Sequence, residues 1–165
     1  LALYLTRSNP HFFKALLLSS PFLGMPDSRK PLEVMGLLGL SVLLPRMTVK
    51  NAVCLEDLTH DKNRIDQYAS DPLIQNEITL GSLRVIHKMQ MRVRQMDALE
   101  IPVFILSGDE ERVVSQKNIT QWVQNRGGSN LKQRIFKGYY HEVFNEVNNE
   151  AAIQEARQFF MSQLG

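Results

Sequence analysis

Two short polar segments of the sequence contain side chains that could carry out acid–base chemistry together. The first is the carboxylate cluster Asp109-Glu110-Glu111, and the second is GYYHE at 138–142, which contains His141. A histidine serves as a general base when a buried carboxylate holds its ring in one tautomer. On its own, the carboxylate cluster is typical of a solvated loop or of the acidic first turn of a helix. Together with His141, the cluster instead indicates an acid–histidine pair.

The order of these groups along the chain, acid before histidine, is that of the α/β-hydrolases, whose triad runs Ser…Asp/Glu…His. The nucleophile of such a triad is missing from this sequence, because Gly-x-Ser-x-Gly does not occur. Ser41 and Ser129 each follow a glycine by two residues, but Leu43 and Leu131 occupy the position of the second glycine. Neither serine follows a predicted buried strand, so both are interpreted as loop or helix-cap serines. Cys54 lies away from any predicted helix start and is interpreted as inert.

Three predicted strands would bring the two polar segments together. Residues 101–107, IPVFILS, form a nearly continuous apolar run, which is typical of a strand buried on both faces of a parallel sheet. Residues 13–20 form a second candidate of this kind, and the more polar run 131–136 is predicted to lie nearer the sheet edge. Helices predicted over 115–125 and 150–163 follow these strands. The sequence therefore predicts an α/β fold with a mostly parallel sheet and helices on both faces.

The stretch from residue 24 to residue 98 differs in composition from the chain around it. A leucine- and methionine-rich part interrupted by Gly and Pro is followed by a polar, mostly helical part. The apolar run 34–44 is only about half as long as a bilayer-spanning helix, so it predicts a short interfacial or lid helix. We divide the chain into three parts: a helix tail and core strand (1–23), a largely helical insert (24–98) and a C-terminal core that carries both polar segments (99–165).

Length and composition argue against several other classes of protein. The 165 residues fit one domain, and the net charge of +2 is too small to indicate nucleic-acid binding. Cys54 is the single cysteine, which excludes an intrachain disulfide and a multi-cysteine zinc site and suits the cytoplasm. No two histidines are spaced i, i+4 and nothing resembles a closed ligand set, so no metal site is predicted. No other cofactor is predicted. The first residues do not have the pattern of a signal peptide.

Four segments give the chain a family resemblance that extends over almost its whole length. They are LLLSSP at 16–21, YASDPLI at 68–74, IPVFILSGDEERVV at 101–114 and GYYHE at 138–142. In this order and spacing they resemble the C-terminal half of an α/β-hydrolase of the bacterial lysophospholipase and monoacylglycerol lipase family, which is similar to serine aminopeptidases. SSP and DPL are weak signals individually, and the resemblance depends on the whole set.

The resemblance implies a serine hydrolase that cleaves carboxylic esters of lipids, such as lysophospholipids or monoacylglycerols, without a cofactor. It implies that His141 is the catalytic base and that the acid lies three residues after Gly108, at Glu111. Most members of the family have aspartate as this acid, so Glu111 is a departure from the family pattern. Asp109, which is shorter and lies nearer the end of the strand, is the alternative acid. The insert would be a cap that covers the acyl group and contacts a membrane surface peripherally, in a cytoplasmic protein.

The resemblance also implies an N-terminal half, with the Gly-x-Ser-x-Gly nucleophile shortly before Leu1. The opening residues agree with this expectation, because LALYLTRS is typical of the end of an amphipathic helix, which Asn9-Pro10 would stop. The partner of this chain would then be its own missing half. If the 165 residues were instead a complete protein, the sequence would predict a non-catalytic, hydrolase-like binding module.

Overall fold

The computed structural model describes residues 1–26, 30–51, 53–97, 99–126 and 128–164 of the chain. Within these ranges the helices and strands follow one another as α1 (Ala2–Ser8), β1 (Leu16–Ser19), α2 (Pro31–Leu43), β2 (Thr48–Lys50), α3 (Lys62–Ser70), β3 (Glu77–Thr79), α4 (Leu80–Gln95), β4 (Val103–Gly108), α5 (Gln116–Asn125), β5 (Leu131–Phe136) and α6 (Glu150–Leu164). Short 3-10 turns at Pro10–Phe12 and Leu55–Asp57 lie between them.

A three-stranded parallel sheet in the order β1-β4-β5 forms the centre of the fold. In its register, Val103 of β4 pairs with Leu16 of β1 on one side and with Leu131 of β5 on the other. Every residue of β4 is buried, as the uninterrupted apolar run predicts. β5 lies at the sheet edge, which agrees with its more polar sequence. β1 begins at Leu16 and not at residue 13, so it is shorter than predicted.

Helices pack on both faces of this sheet, so the predicted α/β architecture is confirmed. The side chains of β4 alternate between two hydrophobic clusters, with Val103 and Ile105 in one and Phe104 and Leu106 in the other. Residues of α1, α4 and α5 complete the first cluster, and residues of α6 complete the second. The indole N–H of Trp122 in α5 also donates to a carbonyl oxygen of α4 at 3.0 Å.

Between β1 and β4, the described residues form three α-helices and a small antiparallel pair of strands. α2 packs against α4, and β2 pairs with β3 so that Thr48 faces Thr79. The sequence analysis did not predict this strand pair, because strands of three residues are too short to show a two-residue periodicity. α4 begins at Leu80 and not at residue 78, since the side chain of Thr79 caps the helix by accepting the N–H of Ser82.

The predicted short apolar helix is α2, and it exposes apolar side chains to solvent. Leu32 is 80% exposed, Met35 67%, Val42 64% and Leu43 78%. Their spacing places them on one face of the helix, which we call the outer face of α2. None of the helices in the described ranges is both long and apolar enough to span a membrane.

Candidate active site

The loops that follow β4 and β5 lie side by side at the carboxyl ends of the strands of the sheet. The N–H of Asp109 donates to the carbonyl oxygen of Phe136 at 3.0 Å, and the N–H of Glu110 donates to that of Tyr139 at 3.1 Å. Gly108 permits this approach, because a Cβ atom at its position would lie only 1.9 Å from the carbonyl oxygen of Tyr139. The glycine that ends β4 therefore lets the two polar segments meet.

Glu111 and His141 form a hydrogen-bonded pair between these two loops. Nδ1 of His141 lies 2.9 Å from Oε2 of Glu111, whose side chain is fully buried, while the His141 side chain is 22% exposed. An ionised carboxylate only accepts hydrogen bonds, so this geometry requires the proton on Nδ1 and leaves Nε2 of the neutral ring able to accept one. The other carboxylate oxygen, Oε1, accepts the N–H groups of Val113 at 2.8 Å and Val114 at 3.2 Å.

These contacts determine the ionisation of Glu111. Burial raises the pKa of its carboxyl, but the hydrogen bond and charge of His141 lower it, as do the N–H groups of Val113 and Val114. The net result is that the pKa of Glu111 lies below its ordinary value. Glu111 is therefore ionised at neutral pH, and a carboxylate in this state both orients a histidine ring and stabilises its protonated form.

Asp109, the alternative acid, has a different environment. It is exposed, and its Oδ1 accepts the N–H of Gly138 at 2.5 Å. Gly138 has a φ of +74°, a conformation that glycine adopts without steric cost. The carboxylate of Asp109 thus supports the turn that leads to His141, whereas the carboxylate of Glu111 contacts the ring.

Several residues around the pair were not identified from the sequence. The hydroxyl of Ser20, directly after β1, donates to the carbonyl oxygen of His141 at 2.7 Å. Nδ1 of His60 lies 3.1 Å from both carboxylate oxygens of Glu146. The only sequence signal for these contacts was the position of Glu146 close behind His141.

A second polar cluster connects α3 to the His141 loop. The hydroxyl of Tyr68 donates to Oε2 of Glu142 at 2.7 Å, and the side-chain amide of Asn145 donates to the same oxygen at 2.8 Å. Burial, together with the hydrogen bond and negative charge of Glu142, raises the pKa of Tyr68 to about 12. Tyr68 therefore remains a hydrogen-bond donor over the whole neutral and mildly alkaline range.

A cleft of about 580 Å³ lies between the insert and the core, next to the loop that follows β4. Its lining includes Arg112 and Val113, the two residues that follow Glu111. Most of the remaining wall is apolar and comes from the following residues: Phe22, Met25, Pro26, Val34, Leu37, Val49, Val53, Ile78, Leu83 and Ile86. The volume is within the range of pockets that enclose a small organic ligand.

The other candidate nucleophiles and metal ligands of the sequence lie elsewhere. Ser41 was interpreted as a loop or helix-cap serine, but this is wrong: it is buried inside α2 and its hydroxyl donates to the carbonyl oxygen of Leu38. Ser129 lies in a turn, as predicted, and Cys54 is exposed. Among the described residues, no group of His, Cys, Asp and Glu is arranged to hold a metal ion.

A parallel sheet with a histidine and a buried carboxylate on neighbouring loops at its carboxyl edge is the arrangement found in α/β-hydrolases. A family profile supports this class, since Hydrolase_4, described as serine aminopeptidase, S33, matches residues 1–148. The chain belongs to this family, which confirms the resemblance found in the sequence.

The chain is also similar to curated relatives in sequence and to solved structures in fold. The chain is 24% identical to phospholipase YtpA of Bacillus subtilis over 146 residues, covering 87% of this chain and 56% of the relative. It is 24% identical to a monoacylglycerol lipase of Mycolicibacterium smegmatis over 157 residues, covering 94% of this chain and 56% of that relative. The crystal structure of a Paleococcus ferrophilus monoacylglycerol lipase superposes with a TM-score of 0.89 at 18% identity, covering 98% of this chain and 64% of that one. The chain thus spans about half the length of the curated relatives it matches.

Proposed function

We propose that this chain supplies the acid and the histidine of a serine hydrolase that cleaves carboxylic esters of lipids. The observation that carries this proposal is the 2.9 Å contact between Nδ1 of His141 and the buried carboxylate of Glu111. Membership of a hydrolase family supports the proposal. The nucleophilic serine would lie in a part of the full-length protein outside this chain.

In this mechanism, the serine oxygen attacks the ester carbonyl carbon while Nε2 of His141 takes the serine proton. The tetrahedral intermediate then collapses, the ester C–O bond breaks, and His141 gives the proton to the leaving alcohol. Water removes the acyl group from the serine by the same route, with His141 again acting first as base and then as acid. Glu111 holds the ring in the required tautomer and stabilises its positive charge in both steps.

A lipid ester, specifically a lysophospholipid or a monoacylglycerol, is the substrate class that we propose. The insert of residues 24–98 would form the cap over this substrate, because α2, α4 and the β2-β3 pair supply most of the apolar wall of the cleft. An aliphatic chain is stabilised in such a cleft by removal of its surface from water. Relatives named as a phospholipase and as monoacylglycerol lipases agree with this class.

Peripheral contact with a lipid surface is the second part of the proposal. The outer face of α2 exposes large apolar side chains on the cap, where they would meet the membrane from which the substrate is drawn. The protein would then be cytoplasmic and would bind the membrane surface reversibly, since a single short helix buries too little apolar area for permanent attachment.

The test is ester hydrolysis by the full-length protein that contains this chain, with a monoacylglycerol, a lysophospholipid and a short-chain ester as substrates. We expect release of fatty acid from at least one lipid ester and loss of this activity in His141→Ala. The matched control is His11→Ala, which makes the same chemical change at an exposed position. Activity that survives in His141→Ala would refute the proposal. A full-length protein that hydrolyses none of the three esters but binds lipid would support a non-catalytic, hydrolase-like binding module instead.

A further inference from the structure

Glu146 is a buried carboxylate that the mechanism described above does not use. Its side chain is only 4% exposed. Oε1 accepts the N–H of Tyr140 at 2.7 Å, and Oε2 accepts the N–H of His60 at 3.2 Å. Nδ1 of His60 lies 3.1 Å from both oxygens, so it must donate to this carboxylate as well. Hydrogen bonds to an ionised carboxylate are stronger than those between neutral groups, so Glu146 connects the segments of Tyr140 and His60.

The insert segment that contains His60 also contacts other residues of the His141 loop. The carbonyl oxygen of Leu58 accepts the N–H of Glu142 at 2.8 Å. The hydroxyl of Thr59 donates to the carbonyl oxygen of Asn145 at 2.7 Å. Residues 58–60 therefore bind the His141 loop through backbone and side chain alike.

Tyr140, which directly precedes His141, connects this segment to the loop of the acid. Its ring lies 3.7 Å from the ring of His60, centroid to centroid, and the guanidinium of Arg112 lies 4.1 Å from its centroid. Arg112 directly follows Glu111 in the chain. The contacts of Tyr140 therefore connect the backbone next to His141 with the backbone next to Glu111.

We propose that Glu146 is a positioning residue that fixes the backbone of His141 through the N–H of Tyr140, with His60 of the insert completing the contact. The proposal rests on the function proposed above, in which His141 is the base. Glu146, His60 and Tyr140 do not line the cleft between the insert and the core. Loss of Glu146 should therefore lower kcat and leave KM unchanged.

The test uses the full-length protein with Glu146→Ala, Glu146→Gln and His60→Ala. Because small displacements of a catalytic group cost about 100-fold in rate, we expect kcat to fall about 100-fold in Glu146→Ala at unchanged KM. Glu146→Gln should restore most of this loss, since its amide oxygen can still accept the N–H of Tyr140. His60→Ala should lower kcat by about 5- to 10-fold, the loss of one hydrogen bond. The matched controls are Glu155→Gln, at an ion pair with Arg134 on the surface, and His11→Ala.

A spectroscopic measurement separates this proposal from the proposed function. The proton between Nδ1 of His141 and Glu111 should give a low-field NMR resonance in the protein, and Glu146→Ala should broaden or shift it without any substrate present. If Glu146→Ala keeps both kcat and this resonance, or if Glu146→Gln is as impaired as Glu146→Ala, the proposal is overturned. If Glu146→Ala does not fold, an unchanged kcat in His60→Ala overturns it. If the wild type hydrolyses no ester but the resonance responds to Glu146→Ala, the positioning role stands and the hydrolase proposal fails.

Discussion

The hydroxyl of Ser20 donates a 2.7 Å hydrogen bond to the carbonyl oxygen of His141, across 121 positions of the chain. Ser20 is buried and has a φ of +39°, which is uncommon for a residue other than glycine. Its own N–H donates to the carbonyl oxygen of Leu106 at 2.8 Å, so the strand next to it holds the unusual conformation in place. The end of β1 therefore contacts the His141 loop from the side of the core.

Removal of this hydroxyl should affect both stability and catalysis. Ser20→Ala leaves the carbonyl oxygen of His141 without its donor, so we expect the free energy of unfolding to fall by about 1 kcal/mol and kcat to fall with it. Ser19→Ala, one residue earlier and exposed, should change the free energy of unfolding by less than about 0.5 kcal/mol. Urea unfolding and ester hydrolysis by the full-length protein measure the two effects. Equal behaviour of the two variants would show that the Ser20 contact contributes nothing.

Glu111 and Asp109 should differ sharply when each is replaced. Glu111→Ala removes the carboxylate that contacts His141, and we expect kcat to fall by about 10³- to 10⁴-fold. Asp109→Ala removes an acceptor for the N–H of Gly138 and should lower kcat by less than about 10-fold, because only the turn loses support. Steady-state kinetics on one ester compares them. A larger loss in Asp109→Ala would identify Asp109 as the acid and would refute the role proposed for Glu111.

The pKa of Glu111 should rise when His141 is removed. Burial raises this pKa and remains in His141→Ala, whereas the hydrogen bond and charge of the imidazole, which lower it, are lost. ¹³C NMR titration of labelled glutamate side chains measures the change, with His11→Ala as the control. A pKa of Glu111 that is equal or lower in His141→Ala would contradict the assigned contact.

The same pKa has a consequence for stability against acid. Because the pKa of Glu111 is lower in the folded protein than its ordinary value of 4.5, this group stabilises the fold above pH 4.5. Its contribution disappears as the pH falls through the folded-state pKa. His141→Ala should therefore lose less stability than the wild type over that acidic interval, which urea unfolding at a series of pH values measures.

Gly108 and Gly39 provide a matched pair of glycine-to-alanine changes. A Cβ at Gly108 would collide with the backbone of Tyr139, so Gly108→Ala should destabilise the protein by more than about 2 kcal/mol and displace the His141 loop. A Cβ at Gly39 in α2 meets nothing within 4 Å, and Gly39→Ala should stabilise the protein by about 0.5–1 kcal/mol. Denaturant unfolding distinguishes the two. Destabilisation of similar size in both variants would contradict the close approach at Gly108.

The sequence predicts those parts of the fold that local pattern controls. β4 is a continuous apolar run because both its faces are buried, and α5 begins after Ser115 because that side chain accepts the N–H of Asn118. The β2-β3 pair was missed because its strands are too short to show a period. The assignment of Glu111 in place of Asp109 came from a family resemblance and not from periodicity.

The contacts around the candidate pair are beyond the reach of local pattern. Thr59 and Asn145 meet across 86 positions, and nothing in the sequence near either residue indicates the other. Glu146 differs from a surface glutamate only in the donors that the fold brings to it. Tertiary packing determines these contacts, so they can be identified from the three-dimensional structure and not from the local sequence.

The order of strands in the sheet also determines which pairing can form first. β4 and β5 are separated only by α5 and its connections, whereas the pairing of β1 with β4 must close a loop that contains the whole insert. The entropic cost of closing a loop rises by only about 0.6 kcal/mol for each doubling of its length. Lengthening or shortening the insert would therefore add little to the cost of closure. Because β4 and β5 are joined by the shorter connection, the half of the sheet that carries the Glu111 and His141 loops can form before β1 docks. Changes in the insert outside residues 58–60 can therefore alter the wall of the cleft, and with it the shape of ligand that fits, at little cost to the pairing of β1 with β4.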